Sequence, residues 1–215
     1  MLKRSMLFLL MVLSIVACKE HRMDQIKNFR ILVDSNDPAL QNSIRVLVQD
    51  YNSRIGYDAL SVTDASEDST SVIRFRKGLI EDGRKLGLGQ WTTLKSLTSK
   101  GYIERTETTT IEYGMEIVFD EENFSRKSVS IADETSEGYK HLFHLFAHEV
   151  GHGMQMNHAD AIDNVMYPNI PEEKSRDLNY DLYFENIRQF MGHASNETVV
   201  TGENCDGIHK HSHQE

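Results

Sequence analysis

The sequence predicts one α/β domain (of α+β type) behind an export segment. Its 215 residues, 39% of them hydrophobic, suffice for a single core. Several short stretches alternate apolar and polar residues, as strands do, and longer stretches repeat apolar residues at helical spacing. We expect a small, twisted sheet of mixed strand directions, mostly parallel, that carries two long helices and is followed by a helical C-terminal part.

The first 17 residues have the pattern of an export signal. Lys3 and Arg4 precede the apolar run Met6 to Val16, which is shorter than the roughly 20 residues of a membrane-spanning helix. The segment ends Leu-Ser-Ile-Val-Ala-Cys at Cys18 and there resembles the lipobox of bacterial lipoproteins. The resemblance implies removal of residues 1–17 and acylation of Cys18, whose several chains together anchor a protein stably. An ordinary signal peptide that contains a cysteine is the alternative.

The lipobox implies a location on a bacterial cell envelope. In bacterial lipoproteins, the residue after the acylated cysteine influences which membrane the protein is sent to, and a residue other than aspartate favours the outer membrane. Here that residue is Lys19. We expect residues 18–27 to form a lipidated tether that holds the domain close to the membrane. The domain itself is then expected at 28–192, and a polar, histidine-rich tail at 193–215.

The charge balance disfavours one class of partner. The chain has 23 basic and 33 acidic side chains, a net charge of −10, and loss of Lys3 and Arg4 with the export segment makes this about −12. Nucleic acid is therefore a poor partner. If Cys18 is acylated, Cys205 is the one remaining thiol, and an intrachain disulfide is excluded.

The first half of the domain shows a strand, a helix and another strand. Apolar and polar residues alternate over Phe29 to Val33. Asp37 and Pro38 are good helix-start residues, and apolar residues then recur at helical spacing until Gly56. Alternation returns over Val72 to Arg76, which predicts a second strand.

The second half contains the clearest patterns. Ile111 to Phe119 has one apolar and one polar face, which is typical of a strand buried on one side. From Glu137 the period becomes helical with a wide apolar stripe, so this helix is expected to be largely buried. A loop over 157–173 precedes a last helix over about 176–191, which Gly192 ends.

The buried helix carries the sequence His-Glu-Val-Gly-His. His148 and His152 are four residues apart, just over one helical turn, so both imidazoles project from one face. Neutral imidazole is a normal zinc ligand, and Glu149 can lean toward an open coordination position without ligating. His141 and His144 precede the motif by helical steps and are expected to be packed or hydrogen-bonded helix residues, not further ligands.

The residues after the helix extend the motif. His158 lies six residues after His152, and Met166, Tyr167 and Pro168 follow eight residues later. Here the chain resembles the metzincin metalloproteases, most closely the matrixins, whose methionine turn has the same spacing and also reads Met-Tyr-Pro. The resemblance implies a zincin domain with its zinc cleft below the edge strand of the sheet.

The same resemblance implies roles for the motif residues. One catalytic zinc ion would be held by His148, His152 and His158, with Glu149 as the general base and Met166 as an apolar floor beneath the metal. The chain departs from the family at Gln155, where the motif has a glycine that turns sharply out of the helix. Either Gln155 or a neighbour such as Asn157, which tolerates a positive φ better than most residues, must absorb the unusual backbone angle. If Gln155 does so, the strain is on the order of 1 kcal/mol, which zinc binding can offset.

The resemblance implies a zinc endopeptidase acting on peptide or protein substrates, and the ligand set supplies a chemistry for it. Three histidines leave one position for water, whose pKa falls from about 15.7 to near 7 on such a metal, and Glu149 would take its proton. We expect the strand over Ile111 to Phe119 to form the sheet edge to which an extended substrate adds. A purely structural role for this strand is the alternative.

Two other functions stay open. The first is an inactive binding protein, in which the turn at Gln155 misplaces His158. The second is a zinc-capturing lipoprotein, in which the tail histidines His209, His211 and His213 also bind metal. Glu149 favours the enzyme, because a metal store does not need a general base.

Overall fold

The computed structural model describes residues 18–78, 86–101, 106–169 and 178–202. The predicted export segment, Cys205 and the tail histidines lie outside these ranges. The strands and helices in chain order are β1 (Cys18–Gln25), β2 (Phe29–Asp34), α1 (Pro38–Ile55), β3 (Leu60–Thr63), β4 (Ser71–Arg76), β5 (Gly87–Gly101), β6 (Thr106–Asp120), α2 (Glu121–Ser128), α3 (Glu137–Gly153), α4 (Tyr180–His193) and β7 (Ser195–Gly202).

The strands of the described ranges form one seven-stranded mixed sheet. Its order is β1-β7-β6-β4-β2-β3, with β5 paired to the other side of β6. β2, β3, β4 and β6 are parallel to one another, whereas β5 and β7 are antiparallel to β6, and β1 is antiparallel to β7. The predicted α/β fold with a mixed sheet, long helices and a helical C-terminal part is confirmed.

The strand predicted over Ile111 to Phe119 exists as part of β6, but its predicted place at the sheet edge is wrong. β6 pairs with β5 along one side, and with β7 and then β4 along the other. In the gap between β7 and β4, the Asn196 side chain accepts from the Tyr113 N–H and the Ser71 hydroxyl accepts from the Met115 N–H. The strand with a free edge beside α3 is β5, which pairs only with β6 within the described ranges.

Both ends of the described chain belong to the sheet, which differs from the expected tether over 18–27 and tail from 193. β1 and β7 pair from Cys18 opposite Gly202 to Gln25 opposite Ser195. The side chains of β1 from His21 to Gln25 are all exposed. A strand without a buried face needs no apolar alternation, so the sequence pattern does not reveal it.

The two predicted long helices have the expected starts. The Asp37 carboxylate caps α1 by accepting from the Ala39 N–H at 2.8 Å, and Gly56 ends this helix with a φ of 91°. The Ser136 hydroxyl caps α3 in the same way, accepting from the Tyr139 N–H at 3.1 Å. Every residue from 141 to 151 is buried, which confirms the largely buried helix.

The core lies between the sheet and the helices. Tyr51 of α1 meets Phe146 of α3 and Phe184 of α4 edge to face, with ring centroids 6.0 and 5.1 Å apart. This packing holds α3, the helix that carries the histidine motif, against both neighbouring helices. None of the helices in the described ranges is long and apolar enough to span a membrane.

Candidate metal centre and cleft

Three histidines converge at the C-terminal end of α3. The Nε2 atom of His152 lies 3.1 Å from the Nε2 atom of His148 and 3.1 Å from that of His158. His148 and His152 belong to α3, and His158 reaches them from the loop that follows. This is the one group of three or more candidate metal ligands among the residues that the structure describes.

Hydrogen bonds on the far side of two rings determine their tautomers. The Nδ1 atom of His148 lies 2.8 Å from the Val165 carbonyl oxygen, and that of His152 lies 2.9 Å from the Met156 carbonyl oxygen. A carbonyl only accepts, so each Nδ1 carries the proton and each Nε2 is left with a lone pair. The facing Nε2 atoms of these two rings therefore cannot hydrogen-bond to each other.

A cation bound between the rings would allow their Nε2 lone pairs to face one another. Tetrahedral coordination with Zn–N distances of 2.0 to 2.1 Å separates two ligand nitrogens by about 3.3 to 3.4 Å. The observed separations of 3.1 Å are close to that value. The histidine set thus fits a zinc ion in number and spacing, and its two helix histidines also fit in tautomer.

The electrostatic environment keeps the two helix histidines neutral. Burial lowers the pKa of His148 to about 3, although its hydrogen bond to the Val165 carbonyl opposes the shift. Burial also lowers the pKa of His152, with the Met156 carbonyl again opposing. Neutral imidazole is the form that ligates a metal, so neither ring must lose a proton near pH 7.

The turn after α3 is a Schellman motif built on Gln155. The Gln155 N–H donates to the His152 carbonyl and the Met156 N–H donates to the Gly151 carbonyl, both at 2.9 Å. Gln155 has a φ of 63° and is the one residue other than glycine with a positive φ in the described ranges. The expected conformation therefore falls on Gln155 itself and not on its neighbour Asn157.

Met166 lies directly beneath the helix that carries the motif. It is 1% exposed, and a Cβ added to Gly151 would stand 2.4 Å from its sulfur atom. The Ala159 N–H donates to the Met166 carbonyl at 2.9 Å, which joins the His158 segment to the methionine turn. Close packing at Gly151 thus holds the methionine turn under the histidines.

His144 is a packed and hydrogen-bonded helix residue, as the sequence predicted. It is buried, and its Nε2 atom lies 3.2 Å from the Val165 carbonyl oxygen, to which His148 also donates. His141 is likewise buried. Neither side chain belongs to the converging group, as expected.

Strand β5 covers Glu149 at very close range. A Cβ added to Gly87 would stand 2.6 Å from the Glu149 Oε1 atom, and one added to Gly89 would stand 1.9 Å from the Glu149 carbonyl oxygen. The strand can approach α3 only because both positions lack a side chain. Glu149 is 5% exposed and yet lines the same cleft as the three histidines.

The cleft has a volume of about 220 Å³ and a partly apolar wall. Besides the three histidines and Glu149, it is lined by Leu86, Gly87, Leu88, Leu145, Pro168 and Asn169. Sequence reasoning did not find these wall residues. The one available signal was the spacing Gly87-x-Gly89, since glycines inside a strand often mark a close backbone approach.

Cys18, the expected lipidation site, is the first residue of β1 and pairs with Gly202. It is distant in sequence and topology from the cleft, because β7 separates β1 from β6. The histidine centre therefore forms without any contribution from the expected anchor residue.

Comparison with known proteins agrees with this geometry. No curated protein matches the chain. The model of the matrixin family matches residues 65–190, which is more than half of the chain and includes β4 to β6, the histidine motif and the methionine turn. The chain therefore belongs to the matrixin family.

Proposed function

We propose that the protein is a zinc-dependent endopeptidase. One observation carries this proposal: the three histidines and the Glu149 carboxylate line a single cleft beside the free edge of β5. The histidines supply the ligand set, and the carboxylate supplies a base that a mere metal store would not need.

The roles of the residues follow from their chemistry. His148, His152 and His158 would hold zinc through their Nε2 atoms, and a zinc ion so held lowers the pKa of water to near 7 and polarises a carbonyl group. Glu149 accepts the proton of the attacking water and later delivers it to the leaving amine. Its cover by β5 shields this proton transfer from bulk water.

The substrate is expected to bind as an extended strand. Among the described residues, nothing pairs with the outer backbone edge of β5, which runs from Gly87, at the cleft, to Gly101. A peptide that pairs with this edge gains main-chain hydrogen bonds for affinity and places alternate side chains against the domain. Leu86, Leu88 and Leu145 in the cleft wall favour an apolar side chain beside the scissile bond.

The geometry of the turn weakens the inactive alternative. That alternative supposed that Gln155 misplaces His158, whereas the Nε2 atom of His158 lies 3.1 Å from that of His152. The strained residue is present, and the ligand still reaches the centre. This supports the enzyme over a binding protein on the same scaffold.

A peptide library tests the proposal. The domain without its acylated N-terminus is incubated with mixed peptides, and products are identified by mass spectrometry. We expect internal cleavage that a chelator abolishes and added zinc restores. Zinc-loaded protein that leaves every peptide intact would reject the endopeptidase in favour of zinc capture.

We also propose that the protein is held on the outer membrane of a bacterial envelope by acyl chains at Cys18. The support is the lipobox-like sequence that ends at this residue. Since β1 begins at Cys18 and pairs with β7 along its whole length, such an anchor would be joined to the domain by a paired strand. The connection would then be a paired strand of the sheet, where the sequence suggested a short polar tether.

A further inference from the structure

A second groove lies where the antiparallel part of the sheet meets the C-terminal half of α4. Its volume is about 820 Å³. The side chains that matter for its chemistry are Trp91 of β5, Tyr113 of β6, Glu197 of β7, Asn186 and Phe190 of α4, and Gln155 of the turn after α3.

The sheet wall of the groove is aromatic. The rings of Trp91 and Tyr113 are stacked, with centroids 5.6 Å apart and planes 15° apart, and Phe190 meets Trp91 edge to face at 5.4 Å. The Tyr113 hydroxyl donates to the Glu197 carboxylate at 3.0 Å. Trp91 and Tyr113 are only half-buried, so part of this aromatic surface is open to a guest.

The groove is connected to the cleft by two elements. Gly87 of β5 lines the cleft, and Trp91, four residues later on the same strand, lines the groove. Side chains two and four residues apart share one face of a strand, and four residues span about 13 Å. Similarly, His152 lines the cleft and Gln155, three residues later, lines the groove.

An extended peptide on the edge of β5 would therefore reach both places. Antiparallel pairing is the more stable arrangement, and a peptide paired in this way runs from Trp91 toward Gly87. Its residue opposite Trp91 becomes a cross-strand neighbour of the indole, with Cβ atoms about 5 Å apart and both side chains on one face.

We propose that this groove is a specificity site for an aromatic side chain of the substrate, about four residues N-terminal to the bond that is cleaved. The inference rests on the proposed endopeptidase function. Stacking on Trp91 selects the aromatic ring of the substrate. The side-chain amides of Gln155 and Asn186 offer hydrogen bonds to polar groups of the substrate beside that ring.

Two features make the groove particular to this chain. Part of its lining lies outside the range 65–190 that matches the family, namely Met23, His193, Ala194, Ser195 and Glu197. Gln155 contributes a side chain where the family motif has glycine, in a conformation that costs on the order of 1 kcal/mol. The strained residue thus supplies the groove with an amide that glycine would not.

Trp91 itself provides a probe, because it is the one tryptophan of the chain. The zinc-loaded Glu149→Ala variant is titrated with ten-residue peptides in which one phenylalanine is moved stepwise along a leucine and alanine background. We expect a saturable change in Trp91 emission, with affinity at least tenfold higher for peptides with phenylalanine at the proposed position than for the all-aliphatic peptide.

The same peptides are given to wild-type protein and to two variants. Gln189→Phe places a ring into the groove from an exposed position on α4, and we expect it to lose the preference for phenylalanine. Leu182→Ala is the control, since Leu182 is 48% exposed in the first turn of the same helix, away from the groove, and its loss should leave the preference intact.

The outcomes separate the two proposals. Cleavage with no preference for phenylalanine and no change in Trp91 emission would overturn the groove and leave the endopeptidase standing. A change in emission without cleavage by the wild type would reject the endopeptidase and, with it, the specificity site, and would leave a groove that only binds peptides. A response of Trp91 to oligosaccharides but not to peptides would assign the groove to a sugar and also overturn the inference.

Discussion

The Nε2 atoms of His152 and His158 lie 3.1 Å apart, although the residue that turns the chain between them, Gln155, is not a glycine. Gln155 adopts the left-handed conformation instead, and two backbone hydrogen bonds of 2.9 Å close the turn around it. The turn also aims the Met156 carbonyl at the Nδ1 atom of His152. A single strained residue therefore both brings one candidate ligand, His158, to the centre and orients another, His152.

Replacing Gln155 tests the strain. Gln155→Gly should raise the free energy of unfolding of the metal-free protein by up to about 1 kcal/mol relative to Gln155→Ala, because only glycine adopts a positive φ without cost. Zinc affinity should be equal or higher. Asn157→Gly is the control in the same turn and should bring no gain, since Asn157 does not have a positive φ. Chemical denaturation measures the difference. If Gln155→Gly proves less stable than Gln155→Ala, the turn is not strained.

Removing His158 tests the third ligand. His158→Ala should weaken zinc binding by more than the 10- to 100-fold that outer-shell partners of a metal typically contribute. Isothermal titration of zinc measures this directly. His193→Ala, which removes an exposed histidine of α4, should bind zinc as the wild type does. Equal affinity of His158→Ala and wild type would exclude His158 from the centre.

Gly151 is predicted to be required for the position of Met166. A methyl group at this residue would stand 2.4 Å from the Met166 sulfur, so Gly151→Ala should destabilise the fold by about 1 to 3 kcal/mol. Gly192→Ala is the matched control in α4, where nothing lies within 4 Å, and should stabilise by up to about 1 kcal/mol. Thermal unfolding of both variants checks the difference, and a harmless Gly151→Ala would mean that the methionine turn moves freely.

Anchoring is tested at Cys18. Cys18→Ala should release the protein from membranes or leave its export segment uncleaved, because the thiol that carries the acyl chain is gone. Fractionation with mass spectrometry of the N-terminus gives the measurement, and Cys205→Ala should stay on the membrane. Wild-type protein in the soluble fraction, without lipid, would contradict the proposed anchor.

The sequence predicts best where one local pattern determines the structure. Helix α1 follows from its cap at Asp37 and its stop at Gly56, and β6 follows from the alternation over Ile111 to Phe119. β5, β1 and β7 escape prediction because they are rich in glycine, threonine and charged residues and bury little of their surface. Their pairing is determined by neighbours distant in sequence, which a local pattern does not contain.

The candidate site divides in the same way. The three histidines and Glu149 lie within eleven residues, so helical spacing and the motif suffice to bring them together. The cleft wall comes from β5, about 60 residues earlier, and its approach depends on side chains that Gly87 and Gly89 lack. That β6 lies inside the sheet, with β5 at the edge, could be seen only in the three-dimensional structure.

The rate of peptide hydrolysis by the Glu149→Gln variant tests the central proposal most directly. The substitution keeps the size of the side chain and removes the base, so the variant should still bind one zinc ion while peptide cleavage falls by roughly 10² to 10⁴-fold. Glu122→Gln, a change at an exposed carboxylate of α2, should cleave at the wild-type rate. Zinc-loaded Glu149→Gln that also cleaves peptides at the wild-type rate would contradict the assignment of Glu149 as the base of a zinc endopeptidase.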